Sequence, residues 1–137
     1  MAVAETMTPV VGRLTMAAFF LVPAWLKITD FSDTAELIAG KGVPAAPFML
    51  VIAILVEAVA GFMLALGYKT RMAALTLFAY VVVINIVMHD YWEVRDRLDA
   101  AYELQLFVKN LAIAGALLLL AGLGPGPLSL DERGGKR

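Results

Sequence analysis

The chain has 137 residues, 61% of them hydrophobic, a formal net charge of -1 and no cysteine; its mean hydropathy is +0.82. An apolar share that far above the ~45–50% of soluble domains marks an integral membrane protein surrounded by a lipid bilayer, and the length suits one domain. With no Lys/Arg-rich run there is no nucleic-acid surface or polybasic anchor. With no cysteine and a lone histidine, His89, the chain has no thiolate, no iron–sulfur ligands and no two-histidine haem or zinc site, and no metal, haem or nucleotide motif is present.

In chain order, the hydropathy predicts an all-α, integral membrane four-helix bundle within a single domain, 1–137. The first span runs over about 8–28, with Thr8-Pro9 as cap and first helical turn and Pro23 kinking its far end. No basic segment or A-x-A pattern accompanies it, so it is expected to be retained rather than cleaved. A polar connector, 29–46, holds a short helix over Ser32 to Gly40 and a turn at Gly42-Val43-Pro44. The second span, 47–67, carries one charge, Glu57, at its midpoint; at about 1.5 Å per residue it would be roughly 30 Å long, which sets the carboxyl near the bilayer midplane. A short link, Tyr68-Lys69-Thr70, leads to the third span, 71–89. An acidic and aromatic segment follows, in which Tyr91 and Trp92 suit an interfacial belt. The fourth span covers 102–123, and 124–137 is expected to be a flexible tail.

Lys and Arg placement sets six residues on the side of the termini (Arg13, Lys69, Arg71, Arg133, Lys136, Arg137) against Lys27, Lys41, Arg95 and Arg97 on the other, which predicts cytoplasmic termini. The polar residues inside the spans then collect in one layer in the outer half of the bundle: Lys27, Glu57, Asn85, His89, Gln105, Lys109 and Asn110. Ala53, Glu57, Gly61 and Ala65, four apart, form a small-residue ridge that turns Glu57 inward; Val81, Asn85 and His89 form a similar ladder, as do Gln105, Lys109 and Ile113. A buried carboxyl at this depth needs a partner, which is either Lys109 or Lys27 reaching in from the rim. The layer is either a functional cavity or a network that fixes helix register.

The ordered set Gly12-Arg13, Phe19-Phe20, Lys27, Gly42-Val43-Pro44, Glu57 with Gly61, Gly67 with Thr70-Arg71, His89-Asp90-Tyr91-Trp92 and Lys109-Asn110-Leu111 resembles the DoxX family of small four-helix bacterial membrane proteins. The resemblance spans nearly the whole chain; Tyr91 stands where the family usually has Phe. It implies a location in the bacterial inner membrane and, through related thiosulfate:quinone oxidoreductase subunits, quinone-linked redox chemistry. Carried over residue by residue, it points to Lys27, Glu57, His89, Asp90, Trp92, Lys109 and Asn110.

The leading expectation is therefore a quinone-linked oxidoreductase subunit, with Glu57, His89 and Lys109 as catalytic candidates and Lys27, Asn85, Trp92 and Asn110 as candidates for holding the quinone. Its electrons would come from a partner redox subunit, and a homo-oligomer is the other assembly to consider. The alternatives are a non-enzymatic scaffold or assembly subunit of a larger membrane complex, with residues 90–101 as docking surface, and a small transporter, for which no internal inverted repeat is visible.

Overall fold

A computed structural model describes residues 2–135, all helix and connecting turn: α1 Ala2–Thr29, α2 Phe31–Gly40, α3 Ala46–Leu66, α4 Thr70–Met88, α5 Arg97–Leu123 and α6 Leu130–Gly134. Four of these, α1, α3, α4 and α5, are long and apolar enough to cross a membrane, and at most a third of each apolar window is buried inside the bundle. Large apolar side chains such as Leu55, Val59 and Phe62 on α3 are more than half exposed. A helix apolar all round with an uncovered apolar face is a membrane span whose outer face meets lipid.

The helices pack in the order α1–α3–α4–α5, with the short α2 laid against α3. The core is built from Phe20, Leu64, Leu77 and Leu117 set among alanines, notably Ala17, Ala60, Ala73, Ala74 and Ala114. In lipid the helices gain little from burying apolar surface, so close backbone approach over small residues supplies the packing. Gly61 is one such place. A Cβ there would stand 2.9 Å from Cδ2 of Leu21, so the missing side chain lets Leu21 of α1 lie directly on α3.

The expected boundaries move at both ends of the polypeptide. Thr8-Pro9 does not start α1: the helix begins six residues earlier, at Ala2, and the hydroxyl of Thr8 donates to the carbonyl of Ala4 at 2.7 Å. Intrahelical bonding of the hydroxyl competes with its use as a cap. α5 likewise starts at Arg97, because Asp96 accepts from the backbone N–H groups of Leu98 and Asp99 at 2.9 and 3.2 Å and caps it.

Beyond Leu123 the chain folds back under the bundle instead of running free, and this replaces the expected flexible tail over 124–135; residues 136 and 137 lie outside the described residues. Arg13, 4% exposed, donates from Nη1 to the carbonyl of Pro125 (2.7 Å) and from Nη2 to that of Leu128 (3.2 Å). α3 ends in a Schellman motif, with Gly67 N–H bonded to Leu64 O and Tyr68 N–H to Met63 O and Gly67 at φ 65°. The N-terminus of α4 follows at once and has no capping side chain of its own. Asp131 supplies it: its two oxygens accept from the N–H groups of Lys69 (2.7 Å) and Thr70 (2.8 Å), while its own N–H donates to Gly67 O at 2.9 Å.

Candidate functional site

Glu57 is central to the site because its helix leaves it no polar neighbour of its own. It is 5% exposed, on the same α3 face as Ala53, Ala60, Gly61 and Leu64. Lys27, near the end of α1, reaches it from the rim and places Nζ 2.8 Å from each carboxylate oxygen. The phenol of Tyr80 on α4 donates to Oε1 at 2.7 Å. Three helices thus contribute one charge-neutral cluster, the arrangement in which a buried carboxylate is tolerated. Lys27 is 24% exposed, so the cluster opens toward the rim of the bundle on the ammonium side.

The other predicted residues separate into distinct groups around this cluster. Asn85 is buried on α4 and donates from Nδ2 to the carbonyl of Phe107 at 3.1 Å, tying α4 to α5; its Oδ1 has no partner among the described residues. His89 caps the end of α4 and pairs through Nδ1 with Glu103 of α5 at 2.8 Å. Asp90 pairs with Lys41, which follows α2, and joins the loop after α2 to the loop after α4. The hydrogen bond from Lys41 holds the Asp90 carboxyl below its ordinary value. Trp92 is half exposed and packs edge-on with Tyr91 and Phe107, ring centroids 5.1 and 6.0 Å away, as an interfacial belt would.

Lys109 is not Glu57's partner. The packed face of α5 carries Asn110, Ala114 and Leu117, one residue out of phase with the expected ladder, so Gln105 and Lys109 point outward. Asn110 is short enough to sit between helices, whereas a lysine buried there would need an acid that Lys27 already occupies. The Lys109 ammonium instead lies 5.8 Å from the ring centroid of Phe19 on α1.

Two functional groups escaped the sequence reading. Tyr80 carries the one signal available, a phenol deep in a span where tyrosine normally sits at the interface. Asp131 had no signal, since its partners are 61 and 62 residues away in the chain. Burial pushes its carboxyl up, but the N–H groups of Thr70 and Lys69 outweigh this and hold it below its ordinary value.

Comparison with known proteins agrees with this architecture. The inner membrane proteins YphA and YqjF of Escherichia coli are each 33% identical to the chain, YphA over 124 residues (90% of this chain and 87% of that protein) and YqjF over 128 (93% and 92%). The ER-derived vesicles protein ERV29 of Saccharomyces cerevisiae is 41% identical over 73 residues, 50% of this chain and 22% of that protein. No solved structure matches. The DoxX family profile matches residues 8–90, which take in Lys27, Glu57, Tyr80 and His89. A four-span bundle whose profile match covers the buried cluster, with full-length likeness to bacterial inner membrane proteins, is a multi-pass inner membrane protein of the DoxX family.

Proposed function

We propose that this chain is the membrane subunit of a quinone-linked oxidoreductase and that Lys27, Glu57 and Tyr80 handle its protons. The observation that supports it most is a carboxylate in mid-span with an ammonium and a phenol bonded to it. An ammonium has three donor hydrogens, and Glu57 takes two from Lys27; a third is left on a side chain 24% exposed at the rim, where a quinone carbonyl could accept it. The apolar walls of the bundle suit the ring and tail. A bound quinone supplies a two-electron, two-proton couple. The chain's own part is to orient the carbonyl at Lys27 Nζ, keep bulk water from the inner side, and pass a proton between Lys27, Glu57 Oε1 and the Tyr80 phenol. Electron delivery falls to a partner redox subunit, since the chain has no cysteine.

The test is to purify the protein in mild detergent, extract its bound lipids and assay quinone by absorbance and mass. Wild type should carry quinone, and Lys27→Met together with Tyr80→Phe should lower the amount while the helical signal persists. Absence of quinone from every form, with the variants merely less stable, would end the assignment.

A non-enzymatic scaffold is the competing function. What favours it is that both Glu57 oxygens are already occupied and that Lys41–Asp90 and His89–Glu103 knit the outer loops into a fixed surface topped by the exposed Trp92. In that case Trp92→Ala should release a co-purifying complex, and Glu57→Gln should change only folding yield.

A further inference from the structure

At the end of the bundle that carries both described termini, α1 and α5 are separated by a groove of about 390 Å³. Its walls are almost wholly apolar, with Pro9, Gly12 and Met16 on one side and Ala116, Leu119 and Leu123 on the other. It ends at Arg13, Gly124 and Gly126. Arg13 is 96% buried by complement of its 4% exposure, yet its Nε has no partner among the described residues. A second guanidinium flanks the same end. Arg71 donates from Nη1 to the carbonyls of Ala121 (3.0 Å) and Gly122 (2.9 Å), and no hydrogen bond is donated from Nε or Nη2 among the described residues. Those two nitrogens lie 3.8 and 3.4 Å from where a Cβ of Gly124 would be. Gly124 and Gly126 stand at φ 93° and 71°, and the missing side chain of Gly124 leaves room beside Arg71. Asp131, the acid that acts on Arg13, has both oxygens committed to backbone N–H groups.

An apolar groove that ends at the buried Arg13 guanidinium, with the Arg71 guanidinium beside its Gly124 end, is complementary to an anionic amphiphile, since guanidinium forks match phosphate oxygens and the groove matches a hydrocarbon chain. We propose that this seam binds an anionic phospholipid, its phosphate held by Arg13 and Arg71 and one acyl chain lying between α1 and α5. The site is at the opposite end of the bundle from Lys27 and Glu57 and does not depend on the quinone assignment. An apolar groove alone would take any lipid; the arginines select the charge.

The full chain, purified in neutral detergent and stripped of lipid, is titrated with phosphatidylglycerol, with phosphatidylcholine of the same acyl chains, and with inorganic phosphate, following thermal stability and retained lipid by mass. Phosphatidylglycerol should stabilise the protein at lower concentration than phosphatidylcholine. Arg71→Gln should weaken the anionic lipid about tenfold and leave phosphatidylcholine unchanged, while Arg71→Lys keeps part of the preference. Gly12→Leu guards against a folding artefact: nothing lies within 4 Å of a Cβ added there, so the protein should fold normally and lose both lipids from the groove. Equal binding of the two lipids with no effect of Arg71→Gln would overturn the proposal, as would inorganic phosphate stabilising as well as phosphatidylglycerol, which would mark a free-anion site.

Discussion

The two ends of the bundle are held by different chemistry. Toward the end that holds the α2–α3 and α4–α5 loops, side chains of separate elements pair with one another: Lys27 and Tyr80 with Glu57, Lys41 with Asp90, His89 with Glu103. At the opposite end side chains pair with backbone: Arg13 with the carbonyls of Pro125 and Leu128, Asp131 with the N–H groups of Lys69 and Thr70. The backbone groups there have no choice of partner, because they lie at a helix end or in a turn and would otherwise be left unsatisfied near the membrane. Side-chain pairs carry no such obligation. Their strength depends on the burial of the two partners, so the two ends should respond differently to substitution, salt and pH.

Substitutions should separate the ends by size of effect. The largest is expected at Glu57. Replacing it with alanine leaves Lys27 with an unmatched charge; breaking a fully buried pair costs about 3–5 kcal/mol, and because Lys27 is a quarter exposed the loss expected here is at the lower end, about 3 kcal/mol. Denaturant titration in detergent should register that loss, and the Lys27→Met, Glu57→Met double variant should recover most of it. A single variant as stable as wild type would mean that the pair contributes nothing to the fold.

Next is Gly67→Ala at the other end. The residue sits at φ 65°, and a Cβ there would collide with Ser129, so the turn and the docked tail are strained together. A loss of about 1–3 kcal/mol is expected, with faster proteolysis of the tail as the second readout. Asp131→Ala should cost about 0.5–2 kcal/mol, the ordinary worth of a helix N-cap, although this cap comes from a distant segment. Because the Asp131 carboxyl is held below its ordinary 3.8, its contribution is complete above that pH and is lost as pH falls through the lower folded value. Asp131→Asn should therefore flatten the acid side of the stability profile below about pH 4. Equal acid sensitivity in wild type and variant would remove Asp131 from that role.

The smallest effect belongs to Lys41→Met. Both members of the Lys41–Asp90 pair are about a quarter exposed, so water and salt screen them, and the expected cost is ~1 kcal/mol or less. The depressed Asp90 carboxyl gives this pair the same acid-side sign as Asp131. Added salt should shrink the difference between Lys41→Met and wild type and leave the Glu57 variants unchanged.

Much of this architecture was legible from the residues. The spans, the short link after Gly67 and the inward setting of Glu57 follow from hydropathy, glycine placement and a four-residue ridge. The phase of α5 was not. In a soluble helix a polar stripe shows which side faces out, but here both the lipid face and the packed face are apolar, so 109 and 110 could not be told apart by pattern. The choice between Lys27 and Lys109 was open for the same reason, and the bundle order α1–α3–α4–α5 decided it by bringing α1 against α3.

The sequence by itself determined that this is a four-span membrane bundle with one buried carboxylate, because the cost of placing polar groups in hydrocarbon constrains every span separately. Only the tertiary structure decided the partners: Lys27 and Tyr80 for Glu57, Pro125 and Leu128 for Arg13, Lys69 and Thr70 for Asp131. Each of those pairs joins residues 23 to 115 positions apart, a separation over which composition and periodicity carry no information and packing geometry alone selects who meets whom.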